Sequence, residues 1–256
     1  KSLGQNFLID RDILEKIVNT VDIKNQEVLE IGPGSGNLTT YILKKNPKKI
    51  YVIEKDNDLS LLLEEKFNNE ITIINNDVLK VLENEISSEQ LIVFGNLPYN
   101  ISTEILSKWI INSGKNFWFK SLVLMFQKEV ADRIIAKTNS SQYGRLSILS
   151  NWKLNIKKIM DIKPESFSPR PKIDSSLLLF TPKENFFELS NSKNLEMITR
   201  VFFAQRRKML KKPFNQIFKD SKEISKKFNI DLNLRPQNLQ PEMYYNLVKE
   251  YEALSD

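Results

Sequence analysis

The 256-residue sequence predicts an α/β protein with a mostly parallel sheet, followed by a small all-helical domain at the C-terminus. Short apolar or β-branched runs alternate with helix-length segments over most of the chain, which is typical of βαβ units covered on both faces. Strand signals stop in the polar stretch 181–194. We therefore predict a first domain over 1–185 and a helical domain over 186–256.

The predicted strands are short runs rich in apolar and β-branched residues: EVLEI (27–31), KIYVIE (49–54), ITIIN (71–75), LIVF (91–94) and SLVLMF (121–126). The segments between them have helix length, for example 38–45 and 58–67. A helix KEVADRIIAK (128–137) comes next, followed by the apolar runs RLSILSNW (145–152) and DSSLLLF (174–180). We expect the last run to add to an edge of the sheet in the antiparallel direction.

The helical domain is predicted to begin with one helix that Asn194 caps and that Pro213 ends. Its apolar residues recur at helical spacing on one face: Leu195, Ile198, Phe202 and Met209. Three basic residues share the opposite face: Arg200, Arg207 and Lys211. Residues 200–227 contain ten Lys or Arg against two acidic residues, which indicates a polyanionic partner such as nucleic acid or an acidic membrane surface. A solvated helix face is the alternative interpretation.

The composition excludes several kinds of chemistry. The chain has no cysteine and no histidine, so disulfides, thiolate nucleophiles, Cys-ligated zinc and histidine general bases are excluded. No side chain has an unperturbed pKa between about 5 and 8, so we expect the chemical step to be nearly independent of pH there. A reaction driven by an activated cofactor fits best, and we expect no metal.

No apolar run approaches the roughly 18 residues of a membrane span, and the first residues lack the apolar segment of a signal peptide. We therefore expect a soluble, cytoplasmic monomer without membrane association. Because the chain does not begin with Met, we also expect some native residues to precede Lys1.

Glycines cluster directly after the first strand. Of the seven in the chain, Gly32, Gly34 and Gly36 lie in EIGPGSGNLT, where backbone N–H groups at a strand-to-helix turn can face a ligand. A dinucleotide fingerprint would need glycine at Asn37, and a phosphate-binding loop would need a Gly-Lys-Ser/Thr ending. The spacing E-x-G-x-G-x-G is instead associated with S-adenosylmethionine (SAM) sites. We therefore expect the Rossmann-like sheet of a class I SAM-dependent methyltransferase.

Acidic residues at the next two strand ends extend the predicted cofactor site. Glu54, twenty residues after Gly34, can accept hydrogen bonds from both ribose hydroxyls. Asp77 is placed to accept from an adenine amino group. One acid at a strand end means little, since acids are common in turns. The glycine loop, Glu54, Asp77 and NLPY at four successive strand ends form a specific pattern.

The stretch FGNLPYN (94–100) follows the fourth strand and suits an adenine amine as methyl acceptor. That nitrogen is a poor nucleophile because its lone pair is delocalised into the ring, and two acceptors for its hydrogens would make it more nucleophilic. The Asn96 side-chain oxygen can be one acceptor and the Leu97 carbonyl the other, with Pro98 restricting the backbone of Leu97. Tyr99 offers a flat face for an extruded base. Alone, NLPY is more often a turn; after a SAM loop, the acceptor site is favoured.

The sequence resembles the ribosomal RNA adenine N6-dimethyltransferases, and within them the small-subunit (KsgA-type) dimethyladenosine transferases. Matching motifs run over essentially the whole chain: GQNFLID, EIGPGSGNLT, VIEKD, NND, VFGNLPYNIST, QKEVADRI, YGRLSIL, PESFSPRPKIDSSLL and FAQRRKML. The resemblance implies SAM-dependent dimethylation of adenosines near the 3′ end of small-subunit (16S-type) rRNA. It also implies that the enzyme acts on an immature ribosomal particle during ribosome biogenesis.

The resemblance further implies roles for individual residues. Asn6 and Leu8 would close over the cofactor, and the other binding positions are Gly32, Glu54, Asp77 and Asn96. Phe167 would help to hold the target base, with a core-filling role as the alternative. From the basic segment we predict five RNA-binding residues: Arg200, Arg206, Arg207, Lys208 and Lys211.

Two other functions stay open. The erythromycin-resistance methyltransferases share the glycine loop and an Asn-x-Pro-Tyr motif but modify large-subunit rRNA, and the C-terminal FAQRRKML argues against them. The second alternative for this protein is a non-catalytic RNA-binding assembly factor, the role that some relatives of the family have. The intact residues Asn96, Pro98 and Tyr99 argue against that function.

Overall fold

The computed structural model describes residues 6–254, so Gly4 and Gln5 of the motif GQNFLID lie outside the described residues. The chain forms two compact units. The first comprises Lys1–Trp109, Ser113–Ala131 and Asn155–Pro182. The second comprises Ile110–Asn112, Asp132–Leu154 and Lys183–Asp256.

The strands are β1 (Phe7–Leu8), β2 (Glu27–Ile31), β3 (Lys49–Glu54), β4 (Thr72–Asn75), β5 (Leu91–Asn96), β6 (Phe119–Gln127), β7 (Leu154–Ile162), β8 (Phe167–Ser168) and β9 (Ser175–Pro182). The helices are α1 (Arg11–Val18), α2 (Asn37–Leu43), α3 (Asn57–Phe67), α4 (Ser102–Asn112), α5 (Lys128–Ile134), α6 (Arg145–Lys153), α7 (Ser192–Phe203), α8 (Lys211–Ile217), α9 (Ser221–Lys227) and α10 (Pro241–Ala253). All five predicted strands are present, with ends shifted by at most two residues.

A seven-stranded sheet organises the first unit, with the strand order β4-β3-β2-β5-β6-β9-β7. The strands from β4 to β6 pair in parallel, and β9 pairs antiparallel with β6. Every residue of β2 is buried, as expected for a central strand covered on both faces. The chain order reverses between β2 and β5, which is the position where open α/β sheets bind ligands.

The far edge of the sheet differs from the prediction. β9 is antiparallel as expected but is not an edge strand, because it lies between β6 and β7. The edge strand β7 was missed, since Lys157, Lys158 and Asp161 interrupt its apolar pattern. Polar residues are typical of an edge strand with one exposed face. The apolar run 145–152 forms helix α6.

The second unit is helical and has an aromatic core. The Phe202 ring lies 5.4 Å from Phe214 and 5.5 Å from Tyr244, both in edge-on geometry. The Tyr245 hydroxyl on α10 donates to the carbonyl of Ile148 on α6 at 3.0 Å. Because α6 packs here, residues 132–154 belong to this unit, whereas the sequence placed them in the first domain. The C-terminal part of the unit begins at residue 183 rather than 186.

The predicted long basic helix is two helices, and the prediction of one continuous helix was wrong. α7 ends at Phe203, and Pro213 lies in the first turn of α8, where its missing N–H costs little. Asn191, not Asn194, caps α7 by accepting from the Lys193 backbone N–H at 3.0 Å. Met209 is 56% exposed, so it does not continue an apolar face.

Candidate active site and cofactor cleft

Nine of the predicted cofactor and acceptor residues meet in one cleft of the first unit. The cleft has a volume of about 410 Å³ and lies at the carboxyl ends of β2, β3, β4 and β5. Predicted residues that line it are Asn6, Gly32, Gly34, Glu54, Asp77, Asn96, Leu97, Pro98 and Tyr99. Most of them converge because neighbouring parallel strands end at the same edge of the sheet.

The glycine loop has a backbone conformation that other residues rarely adopt. The φ angles of Gly32, Gly34 and Gly36 are 65°, 58° and 76°, all in the left-handed region. At Gly34, an added Cβ would lie 2.6 Å from the ring of Phe7. Glycine is therefore required there both for its conformation and for the close approach of β1.

Glu54 ends β3 and holds the loop in place. Its carboxylate is 3% exposed and accepts from the backbone N–H groups of Gly34 at 3.3 Å and Asp56 at 3.0 Å. Two carboxylate oxygens provide about four acceptor sites, so capacity remains for further donors in the cleft. This position is suitable for the predicted contact with ribose hydroxyls.

Asp77 follows β4, and each of its oxygens has a partner. Lys55 Nζ lies 2.9 Å from Oδ2, and the Leu79 backbone N–H donates to Oδ1 at 3.0 Å. The Lys55 bond, and after it the Leu79 bond, lower the pKa of Asp77, which is therefore ionised at neutral pH. Lys55 also lines the cleft and was not predicted, because a lysine after a strand carries no distinctive sequence signal.

Asn96 ends β5 and contacts the N-terminal segment. Its Nδ2 group donates to the backbone carbonyl of Asn6 at 3.0 Å. Because both amide hydrogens lie on Nδ2, this bond orients the side chain and leaves Oδ1 as the acceptor. The next residues of the N-terminal segment form β1, in which Leu8 pairs with Phe167 of β8.

The rest of NLPY forms one wall of the cleft. Leu97 is buried, whereas Pro98 and Tyr99 are half-buried. The Tyr99 hydroxyl lies 2.8 Å from Oγ of Ser175, the first residue of β9. Burial raises the pKa of Tyr99, so the phenol is neutral at physiological pH. The ring is thus anchored through its hydroxyl.

Three predicted site residues do not line the cleft. Leu8 and Phe167 are 5% and 3% exposed and belong to the hydrophobic core of the first unit. Gly36 is the residue before α2, and a Cβ added there would clash with the ring of Phe67. In this structure Phe167 therefore takes the core-filling role that was its alternative, and its contact with a target base stays a prediction.

A carboxyl group without an assigned role lies beneath the glycine loop. Glu30 on β2 is 2% exposed, lines a small cavity of about 30 Å³, and accepts from Thr39 Oγ1 at 2.7 Å. Burial raises its pKa to about 7, and nearby Glu54 acts in the same direction, while the Thr39 bond opposes them. One carboxyl group thus titrates between pH 5 and 8, where the sequence indicated none.

Two of the predicted RNA-binding arginines have partners within the second unit. Arg200 on α7 lies 3.1 Å from the Glu196 carboxylate. Arg206 donates to the Gln237 side chain at 3.2 Å and to the Ser140 carbonyl at 3.1 Å. Arg206 therefore also fastens the turns around residues 140 and 237, a role that its charge did not indicate.

The other three predicted RNA-binding residues are exposed. Arg207 and Lys208 lie in the turn after α7, and Lys211 begins α8. Because the helix is interrupted, Arg200, Arg207 and Lys211 do not form the single helical stripe that the sequence predicted. Their contacts with RNA stay a prediction.

Among residues 6–254, no helix has the length and apolar character required to cross a membrane. Within the same range, no group of three or more acidic side chains is arranged to hold a metal ion.

The family model described as "Ribosomal RNA adenine dimethylase" matches residues 1–253. The chain belongs to this family. The protein named "Ribosomal RNA small subunit methyltransferase A" of Pelagibacter ubique (strain HTCC1062) is 76% identical over 254 residues, covering 99% of this chain and 97% of the relative. The predicted resemblance to rRNA adenine dimethyltransferases, and with it the prediction of such an enzyme, is confirmed.

Two solved structures share the fold of this chain. A dimethyladenosine transferase from Plasmodium falciparum is 27% identical, with a TM-score of 0.79 over 97% of this chain and 98% of that chain. The 23S rRNA methyltransferase ErmE has a TM-score of 0.68 at 20% identity, covering 98% of this chain and 100% of that chain. At this identity ErmE supports the fold alone. The predicted class I methyltransferase fold is confirmed.

Proposed function

We propose that this protein transfers methyl groups from SAM to the N6 atom of adenosines near the 3′ end of small-subunit rRNA, forming N6,N6-dimethyladenosine. The observation that carries the proposal is the orientation of Asn96, whose amide is fixed by the Asn6 carbonyl with Oδ1 left as an acceptor in the cleft. The match to the dimethylase family and the similarity to the Pelagibacter relative support this substrate.

The residues of the cleft fit SAM. Gly32 and Gly34 bring backbone without side chains to its wall, and Glu54 offers a buried carboxylate to the ribose hydroxyls. Asp77 would accept a hydrogen bond from the amino group of the SAM adenine, and Lys55 balances the charge of Asp77. When bound, SAM supplies a methyl group on a sulfonium centre, which is already a strong electrophile.

The acceptor side of the cleft prepares the adenine amine. Asn96 Oδ1 and the Leu97 carbonyl would each accept one amine hydrogen, which draws the nitrogen lone pair out of the ring system. Pro98 restricts the backbone that presents the Leu97 carbonyl, and the Tyr99 ring, anchored at Ser175, offers a stacking face. Catalysis then depends mainly on alignment of donor and acceptor, which a chain without histidine can provide.

The second unit would hold the RNA through phosphate contacts. Arg207, Lys208 and Lys211 are exposed basic residues within nine Lys or Arg between residues 206 and 227. We expect the protein to act on an assembled but immature small particle, because RNA shape and phosphates are its evident means of recognition. We also expect it to be a monomer in the cytoplasm.

The test is methyl transfer from labelled SAM to purified immature small particles, large particles and free RNA, followed by nucleoside analysis. We expect label chiefly in the small particle, recovered as N6,N6-dimethyladenosine. Label chiefly in the large particle would overturn the assigned substrate in favour of the erythromycin-resistance type. No label in any substrate would overturn the enzymatic proposal in favour of an assembly factor.

A further inference from the structure

A buried ion pair lies behind the cofactor cleft. Lys108 on α4 and Glu83 have side chains that are 17% and 7% exposed, with Nζ 2.7 Å from Oε1. Trp109 Nε1 donates to the same carboxylate oxygen at 2.7 Å. Buried charges are costly unless they are paired and hydrogen-bonded, so this arrangement requires an explanation.

The remaining bonds of Lys108 go to the polypeptide that follows β4. Nζ donates to the carbonyl of Val78 at 3.0 Å and to that of Val81 at 2.6 Å. An ammonium group has three donors, and all three are thus used, by two carbonyls and Glu83. Lys108 is not among the residues that line the cleft, so it can affect the cofactor only through the residues it holds.

The segment held by Lys108 is a wall of the cleft. Residues 76–82 lie between β4 and the turn at Glu83, outside regular secondary structure. Asp77, Val78 and Leu79 from this segment line the cleft. The Asn76 backbone N–H donates to the Glu54 carbonyl at 3.1 Å, and the Lys80 N–H donates to the Asp77 carbonyl at 2.8 Å. No strand or helix continues beyond these bonds, so the contacts of Lys108 help to fix the backbone from Val78 to Val81.

Helix α4, which carries Lys108, directly follows the acceptor side of the cleft. It begins at Ser102, immediately after residues 96–101, which line the cleft. The Lys108 ammonium group therefore connects two parts of the cleft. One is the segment around Asp77, which is assigned to the adenine of SAM, and the other is the helix that follows the acceptor residues.

We propose that Lys108 is a positioning residue that sets the adenine side of the cofactor cleft relative to the acceptor motif, an inference that rests on the proposed function. Removal of the ammonium leaves the Val78 carbonyl, next to Asp77, without its hydrogen-bond donor. It also leaves the buried carboxylate of Glu83 without the positive charge that it pairs with. Asp77 then keeps its pair with the exposed Lys55 and the adjacent Asn76 bond to Glu54, but the backbone that follows it loses its anchor, while Glu54 and the glycine loop keep their own contacts.

The test compares Lys108→Met with Lys48→Met. Lys48 also pairs with a buried carboxylate, Glu27 at 3.2 Å, but at the start of β2, the end of the strand opposite the cleft. Both variants lose a lysine–glutamate pair, so both should lower the melting temperature. Affinity for SAM and for 5′-methylthioadenosine, measured by calorimetry at 25 °C on folded protein, separates them. Lys108→Met should weaken both ligands about tenfold, comparable to the loss of one positioned hydrogen bond, and Lys48→Met should not.

A second variant and a kinetic readout keep the inference testable if Lys108→Met folds poorly. Glu83→Gln retains an oxygen that accepts from Lys108 and Trp109, and should weaken SAM binding by about threefold, less than the loss of the ammonium itself. The KM for SAM should rise in both variants, whereas the KM for the ribosomal particle stays at the parent value. Unchanged affinity for both ligands in these variants would overturn the positioning role. A parent protein that does not bind SAM would instead overturn the proposed function.

Discussion

Replacing Glu30 with glutamine tests how the protein accommodates a buried carboxyl group beneath the glycine loop. Glutamine has the shape of the protonated acid and can still accept from Thr39 through its carbonyl oxygen. The substitution therefore removes the titration and little else. The ordinary pKa of the group is 4.5, and burial raises it to about 7 in the folded protein.

The sign of the effect follows from linkage between protonation and folding. Because the pKa of Glu30 is higher in the folded state, its protonation contributes stability that is fully present below pH 4.5. This contribution is lost as the pH rises through 7. The difference between the two pKa values corresponds to a contribution of about 3.4 kcal/mol to the free energy of unfolding. Of this contribution, about 2.5 kcal/mol is lost between pH 5 and 8. The Glu30→Gln variant lacks this loss. Its stability relative to the parent should therefore rise by about 2.5 kcal/mol between pH 5 and pH 8.

The assay is urea unfolding of parent and variant from pH 5 to 8, followed by tryptophan fluorescence. Glu27→Gln on the same strand is the matched control, because hydrogen bonds from Ser87 first, and from Lys48 and Tyr51, lower the pKa of Glu27. Its folded-state pKa is lowered from 4.5, so its stabilising contribution is fully present above that pH, and Glu27→Gln should destabilise the protein by a constant amount from pH 5 to 8. Parallel pH profiles for the parent and Glu30→Gln would refute the reasoning.

Three further predictions concern activity and RNA binding. Asn96→Ala should reduce methyl transfer by about a hundredfold or more while retaining most SAM affinity, and turnover near the parent rate would contradict the acceptor role of Oδ1. Glu54→Ala should do the reverse and weaken SAM binding first, by about tenfold or more in calorimetry, because it also releases the Gly34 backbone. Charge reversal of Arg207 and Lys208 should weaken particle binding and reduce its salt slope by about one for each lost phosphate contact. The control Lys16→Glu, an exposed change on α1, should leave the slope unchanged, and equal slopes for all three proteins would make the turn after α7 a solvated surface.

The sequence by itself determined to a large extent which residues line the cleft, and their contacts with a cofactor stay predictions. The glycine loop, Glu54, Asp77 and Asn96 each lie at the carboxyl end of a strand that its composition identifies, and parallel strands bring these ends to one edge without further information. Local spacing was sufficient because these positions depend on the strand each residue follows. The same reasoning could not place Phe167, whose burial depends on the pairing of β8 with β1, far away in sequence.

Tertiary structure decided the features that depend on distant segments. Packing against α10 placed α6 in the helical unit, and the antiparallel β9 was inserted between β6 and β7. The orientation of Asn96 depends on Asn6, 90 residues away in sequence. The hydrogen bonds of Lys108 also depend on Val78 and Glu83, which lie in a different segment of the chain. Likewise, the pKa of Glu30 follows from desolvation under the folded loop. Burial and long-range hydrogen bonds arise only when the strands and helices assemble, and the periodicity of a single segment does not contain them.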